Sequence, residues 1–484
     1  MLWLGAFPLL CDFTYSHITY SKWTIALVMG GVTLAFGLLI ALCSLLPKAI
    51  KLRSPIRWGD PLRLLGLTYF IWTALSAYYG AWSQHVQADG SLTVWLGSGR
   101  YEGLATQLCY LAIFLGMSVY PVRLKPVGLL AAAGLLAFSA IVGAQYAGFN
   151  PLGLFPAGRS IRTNYEFQGT IGNIDMVSGY LSLVVPLLLG GWLFCRKWPA
   201  WLMLLGGTAG MLLFLMIEVQ SGLIVLAGLL GLVVCLMAVR PGSRVRGLIV
   251  LGCFGLCLSI RLLLRLPWLD GTSDFTLTFS AARLAPAAVG LLLFSAAFLL
   301  RRHPGRAVPV PALIAVILAV VIALGLMTYF LPVQPSAGGL YELHEMLHGH
   351  IEDSYGSWRI GVWRCTLSMA SEHLLWGTGP DTFYPAMRAY LANNAIYLGE
   401  NFDNPHNMYL AILSNCGLPA LLLYLGTIIL LLTRCLRRHD GIGVTLAWMI
   451  LCYSVQGLFT FSICIVTPMF WATLGMACAA HAKG

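Results

Sequence analysis

About 13 apolar runs, separated by connections that alternate between basic and acidic, constrain this chain more than any other feature. The runs lie near 24–46, 64–80, 103–120, 127–147, 174–194, 199–217, 221–239, 247–264, 284–300, 307–331, 407–433, 442–463 and 467–482. A helix needs roughly 20 apolar residues to cross a bilayer, so each run is read as a span, a few of them marginal in length. Every second connection is basic: Lys48, Lys51, Arg53, Arg57 and Arg63; Arg123 and Lys125; Arg196 and Lys197; Arg240, Arg244 and Arg246; Arg301, Arg302 and Arg306; Arg434, Arg437 and Arg438. With Lys483 these hold 19 of the 29 Lys and Arg, and of the acids only Asp60 and Asp440. The positive-inside rule makes that face cytoplasmic, so the 332–406 interval faces outward. The expected fold class is an all-α polytopic integral membrane protein of about 13 transmembrane helices with a large extracytoplasmic loop. Residues 1–331 form a scaffold of about 10 spans, 332–406 the loop, and 407–484 the closing spans.

Composition excludes a soluble domain: 59% of residues are hydrophobic, 10% charged, and the mean hydropathy is +0.81. The net charge of +11 follows from topology, and no nucleic-acid partner is expected. Met1 to Leu10 lacks a basic n-region and a cleavage site, and is too short to span. It is read as a short outer hairpin or the remnant of a span. The 13 cysteines are scattered in apolar runs without a CxxC pair, so they read as small hydrophobes rather than as disulfides or a zinc ribbon.

The 332–406 interval is the longest polar stretch and too long for a connector, which marks it as functional. It carries Arg359, Arg364, Arg388, His344, His348, His350, His373 and His406, with Trp358, Trp363, Trp376, Phe383 and Tyr384 among them. From Ser354 to His373 the apolar residues Trp358, Val362, Trp363, Leu367 and Ala370 recur at helical spacing. They predict an amphipathic helix on the membrane surface. The outer loops 81–102 and 148–173 add Arg100, Arg159 and Arg162; Arg261, Arg265 and Arg283 suit snorkelling to lipid phosphate. Gly172, Asn173 and Asp175 predict a capped helix start, an end that either serves capping alone or also holds an anion.

Two motifs invite chemistry. His344-Glu345-Met346-Leu347-His348 is a literal HExxH, which on a helix binds zinc. Gly338-Gly339 and Gly349 leave it barely two turns outside any span, and it is read as a chance occurrence. Gly377-Thr378-Gly379 lacks the strand and lysine of a phosphate loop, so a turn at the membrane surface is expected, with Asp381 among the carboxylates available for acid–base work. His406, after Pro405 at the start of a span, is either a proton-exchanging group or an interfacial histidine bonded to a carbonyl.

Together Ser357-Trp358-Arg359-Ile360-Gly361-Val362-Trp363, Leu374 through Phe383, and His406-Asn407 with Gly417 beyond resemble the O-antigen ligase and polymerase family. Arg100-Tyr101-Glu102-Gly103 and Gly169 through Asn173 look like its Gram-positive relatives, and the ligase-like region runs over about 169–432. The resemblance implies a metal-independent glycosyltransferase of the cell envelope, in the bacterial cytoplasmic membrane with its site facing out and no cofactor. Its partners would be an undecaprenyl-diphosphate-linked glycan donor, a glycan, lipid or cell-wall acceptor, and membrane lipid. It further implies His406 and Arg359 as catalytic, Arg162, Arg159, Arg100 and Arg364 as diphosphate-binding, and Asn407, Asp381 and Trp363 as sugar- or acceptor-contacting residues. Gly222 stands where many relatives have an arginine after serine, which leaves one diphosphate contact unassigned. A carrier for lipid-linked oligosaccharide is the alternative, and a zinc metalloprotease built on the HExxH the third.

Overall fold

The computed structural model describes residues 2–12, 14–45, 60–119, 122–266, 276–302, 315, 318, 322–323, 325–335, 338–397 and 400–480. The run 307–331 therefore lies largely outside the described residues, as do Lys48, Lys51, Arg53, Arg57, Arg306 and Lys483. In chain order the helices used below are α1 (Leu2–Gly5), α2 (Ile18–Leu45), α3 (Pro61–Tyr79), α4 (Leu104–Met117), α5 (Leu124–Tyr146) and α6 (Ile174–Phe194). They continue with α7 (Trp198–Ile217), α8 (Gln220–Val239), α9 (Arg244–Leu263), α10 (Ala281–Arg302) and α11 (Gly339–Leu347). The last are α12 (Arg359–Glu372), α13 (Phe383–Asn394), α14 (Met408–Arg437), α15 (Gly441–Gln456) and α16 (Thr467–Ala479). Among the described residues 8 helices are long and apolar enough to cross a membrane, and β structure is confined to 2-residue hairpin strands and an isolated bridge. The chain is an all-α polytopic membrane protein.

Helix α6 is the central span. It is buried along almost its whole length, against α7 on one side and α15 on another. Inside a bilayer helices gain little from the hydrophobic effect and pack through small residues. Helices α9 and α10 show this: a Cβ on Gly255 would lie 2.5 Å from the Pro286 carbonyl oxygen, and one on Gly290 2.7 Å from that of Gly252. Helix α10 is otherwise largely exposed, as expected of a lipid-facing helix at the edge of the bundle. The N-terminal segment is a short buried helix, with Trp3, Leu4 and Phe7 in the main core. Buried Lys22 pins it by donating to the carbonyls of Phe7 and Pro8, both at 2.9 Å.

Two expected elements are corrected. The run 442–463 is helical only to Gln456. Residues 457–466 cross the end of the bundle irregularly, because the Thr467 hydroxyl accepts the Ile463 N–H (2.9 Å) and Pro468 begins the next helix. The amphipathic helix expected over Ser354–His373 starts only at Arg359, since Ser357 and Trp358 have φ of +58° and +67°. Its buried stripe is Val362, Cys365, Thr366, Met369 and Ala370, and Leu367 stays exposed.

Candidate functional site

The site is assembled at the end of the bundle opposite the basic connections. Helix α14 is broken at Gly417, whose φ of +82° and lack of a Cβ let Leu374 and Leu375 pass against it. The Leu418 N–H donates to the Leu374 carbonyl (2.7 Å), and Thr378 and Gly379 donate to the carbonyls of Ser414 and Asn415 at 2.9 and 2.8 Å. This docks the Gly377–Phe383 turn onto the bundle. The Asp381 carboxylate then accepts the backbone N–H of Arg100 (3.0 Å) and of Glu102 (3.3 Å), fixing the 97–103 loop beside it. Burial pushes the Asp381 carboxyl up to about 6 against those amide bonds.

Arg359 opens α12 after the two left-handed residues, and lines a cavity of about 300 Å³ with Asp175, Gln220, Ser221, Glu342 and Ser357. Asn173 caps α6 by accepting the Asp175 N–H (2.8 Å), which brings Asp175 to the cavity in the first turn. Glu342 is turned to the Gly356 N–H (2.9 Å). The Arg359 Nε is buried without a hydrogen-bond partner.

His406 sits on a turn held from both sides. The Asn404 side chain accepts the His406 N–H (2.7 Å), holding a φ of +45° that a non-glycine residue seldom adopts. The Trp363 indole donates to the Pro405 carbonyl at 2.7 Å, and Asn407 caps α14 through the N–H groups of Tyr409 and Leu410 (3.0 and 3.1 Å). The imidazole stands edge-on to Phe461, ring centres 5.7 Å apart. Arg100 covers Phe461 at 4.2 Å and forms a salt bridge with Asp403. Burial, then the charge of Arg359, holds the imidazole down to about 4; Arg100 adds to this and Asp403 opposes it. Its Nδ1 is buried without a partner. His406 is therefore a neutral imidazole at neutral pH, with a ring nitrogen unengaged and within electrostatic reach of two arginines.

Residues 271–425 match the O-antigen ligase family model. Over these residues the chain is similar to the O-antigen ligase family. The search of curated proteins finds no match to it. An O-antigen ligase- or polymerase-like function in general terms follows, with a lipid-linked glycan and an acceptor as its classes of substrate, in a multi-pass bacterial membrane protein. Of the site residues expected from sequence, Arg359, Arg364, His406, Asn407, Asp381 and Trp363 lie inside the match, and Arg100, Arg159 and Arg162 outside it.

In the ligase-like chain the structure brings Arg359, Arg100 and His406 into one electrostatic neighbourhood. Arg159 and Arg162 are exposed on the 148–173 loop and do not line the Arg359 cavity. Arg364 is exposed and paired with Asp353 at 2.5 Å. Asn407 and Trp363 hold the turn through their side chains, as above. At Gly222, where the resemblance would place an arginine after serine, an added Cβ would lie 2.4 Å from the Ser178 Oγ. Asn404 and Phe461 belong to the candidate site without a role expected from sequence, whereas Asp403, Glu102 and Asp175 stand out there only as, respectively, a carboxylate available for acid–base work, part of a motif and part of a capped helix start. Asn404-Pro405 is a turn signal that could point to the Asx bond; Phe461 is hidden inside an apolar run. The HExxH lies on α11, with the His344 Nδ1 against the Thr328 carbonyl (2.6 Å) and Glu345 engaged by His350 (2.9 Å). Among the described residues no three His, Cys, Asp or Glu are grouped to hold a metal ion.

Proposed function

We propose that this protein transfers a glycan from an undecaprenyl-diphosphate carrier to an acceptor hydroxyl, at the outer face of a membrane crossed by about 13 spans. The observation that carries the reading is the His406 imidazole, neutral, with a buried unpartnered nitrogen and within the electrostatic reach of Arg359. In this reading the acceptor oxygen forms a bond to the anomeric carbon while the carbon–oxygen bond to the diphosphate breaks. The acceptor proton passes to His406, and the diphosphate leaves with the electron pair. Arg359 forks onto the phosphate oxygens and stabilises the charge that develops there. Arg100 is the second cation, held at its post by Asp403.

A base whose conjugate acid titrates near 4 is weak, and general-base catalysis works best near the operating pH. The donor supplies the remedy. Its diphosphate offsets the arginine charge that holds the imidazole down, so His406 becomes more basic once the donor is bound. Asp175 offsets part of the Arg359 charge in the free enzyme, and a diphosphate outcompetes a single carboxylate. The missing arginine at position 222 leaves Arg359 and Arg100 as the main diphosphate contacts.

The test is the glycan profile of a strain lacking the protein, with His406→Ala as a second arm. Lone repeat units held on the carrier indicate a lost polymerase, and long chains stranded there a lost ligase. An unchanged surface and carrier-linked profile in both arms contradicts the reading.

A further inference from the structure

A second cavity adjoins the site and continues beyond the residues that act in the chemistry above. The edge of the site at Arg100, Asp381 and Asp403 opens into a cavity of about 360 Å³ that also touches Ser98 and Tyr384. The same two residues line a further cavity of about 590 Å³, with Trp82, His85, Gln87 and Arg388 on its other walls. Both volumes lie within the roughly 300–1,000 Å³ of ligand-binding clefts, and the shared Ser98 and Tyr384 walls make them neighbouring parts of one groove.

Its walls are built rather than incidental. The Trp82 N–H donates to the Thr378 carbonyl at 2.7 Å and the Ala81 N–H to that of Gly377 at 3.2 Å, so the strip is docked on the turn that carries Asp381. Trp82 and His85 stand with ring centres 5.4 Å apart. Tyr384 and Arg388 are one turn apart on α13 and share a face. The Gln87 Nε2 is buried without a hydrogen-bond partner, a costly state that a ligand oxygen would relieve. Among the described residues no carboxylate pairs with Arg388, although it is exposed.

Aromatic faces, an amide donor without a partner and a free guanidinium are the chemistry of an acidic sugar: ring faces take C–H surfaces, the amide a hydroxyl, and the guanidinium a carboxylate. We propose that this groove binds an acidic oligosaccharide, taking the sugar residues beyond the reacting one. Trp82 and Tyr384 serve as platforms, Gln87 reads a hydroxyl and Arg388 clamps the acidic group. The assignment deepens the glycan-transfer reading and rests on it for the nature of the ligand. Such a groove would favour glycans of more than one repeat, whether the chain belongs to donor or acceptor.

Equilibrium binding tests it apart from catalysis. The probe is the carrier-linked glycan of a strain lacking the protein, released from its carrier by mild acid so that no diphosphate remains. The full chain, in lipid nanodiscs and carrying His406→Ala so that nothing turns over, should bind it. Trp82→Ala should raise Kd about tenfold. Arg388→Gln should raise it by a similar factor at low salt, Arg388→Lys should restore most of the loss, and reduction of the glycan's carboxyl groups should abolish the Arg388 effect. No binding by the parent protein, or an unchanged Kd in Trp82→Ala, overturns the groove. An unchanged Kd in Arg388→Gln overturns its acidic specificity. Intact binding by a protein whose His406 form transfers no glycan would sink the enzymatic reading and leave the groove standing.

Discussion

At the end of the bundle that carries the basic connections, Arg434, Arg246, Arg240 and Arg438 are tied to the protein itself. Arg434 forks onto both oxygens of Asp60 at 2.6 and 2.7 Å and also reaches the Cys478 carbonyl. Arg246 donates to the Trp192 carbonyl (2.5 Å) and lies over its ring, Arg240 reaches the His439 carbonyl, and Arg438 pairs with Asp440 at 2.7 Å. At the opposite end Arg359 keeps a buried Nε without a partner, and His406 a buried Nδ1. Among the described residues, none of the buried polar side-chain atoms without a partner belongs to the basic connections. Buried polar groups are almost always satisfied, so unsatisfied ones gathered at one end mark where a ligand is expected. Non-glycine residues with positive φ add to this: Tyr101, Ser357, Trp358, Asp381 and His406 all lie at the Arg359–His406 end, against Lys197 and His439 at the other. Backbone strain of this kind gathers at functional sites.

If the two ends differ in this way, substitutions should separate cleanly into losses of chemistry and losses of stability. His406→Ala should lower the transfer rate roughly 10²–10⁴-fold, the usual worth of a general base, with unchanged thermal stability in detergent. Arg359→Ala should cost roughly 10²–10³-fold in kcat through lost stabilisation of the leaving diphosphate, with Arg359→Lys recovering only part because the fork is lost. Asn404→Ala frees the turn without removing a reacting group, so transfer should fall about tenfold while the pH profile keeps its shape. Arg434→Ala should leave kcat within about twofold in the folded fraction. Breaking its pair with the buried Asp60 should nonetheless destabilise the fold by about 3–5 kcal/mol, read as a lower unfolding temperature. A large kcat loss in Arg434→Ala, or a purely structural loss in His406→Ala, would erase the distinction.

Much of the membrane architecture is legible in the amino-acid sequence alone. Every expected run except 307–331 overlaps a described helix, and 8 of those helices are long and apolar enough to cross a membrane, because the bilayer imposes length and hydropathy directly on sequence. The same greasiness conceals the break after Gln456: Leu458, Phe459, Phe461, Ile463, Cys464, Ile465 and Val466 keep the run apolar while the chain leaves the helix. Phe461 is lost from view with it. Arg359 and His406 stand out through their motifs. What holds them in place is not visible there, since Asp381 fixes the Arg100 loop across 281 positions and Trp363 the Pro405 carbonyl across 42. Such contacts depend on how the loops fold over one another, which no local pattern records. The buried stripe of α12 departs from the amphipathic expectation for a related reason. The polar loop folds over it and buries Cys365 and Thr366, where a membrane surface would have selected Leu367.

The central claim is that His406 is a neutral base, lowered by burial and then by the charge of Arg359, whose strength the donor raises by offsetting that charge. The pH dependence of transfer in proteoliposomes tests it directly. Burial and the arginine charge lower the imidazole, so kcat/KM, which reports the free enzyme, should rise through about 4 and then stay level to neutral pH. The acid limb of kcat, which reports the donor complex, should lie at higher pH, and Arg359→Gln should move the kcat/KM limb upward by removing the charge that depresses it. An acid limb that is the same in kcat and kcat/KM and unmoved by Arg359→Gln, or one that persists in His406→Gln, would contradict the account.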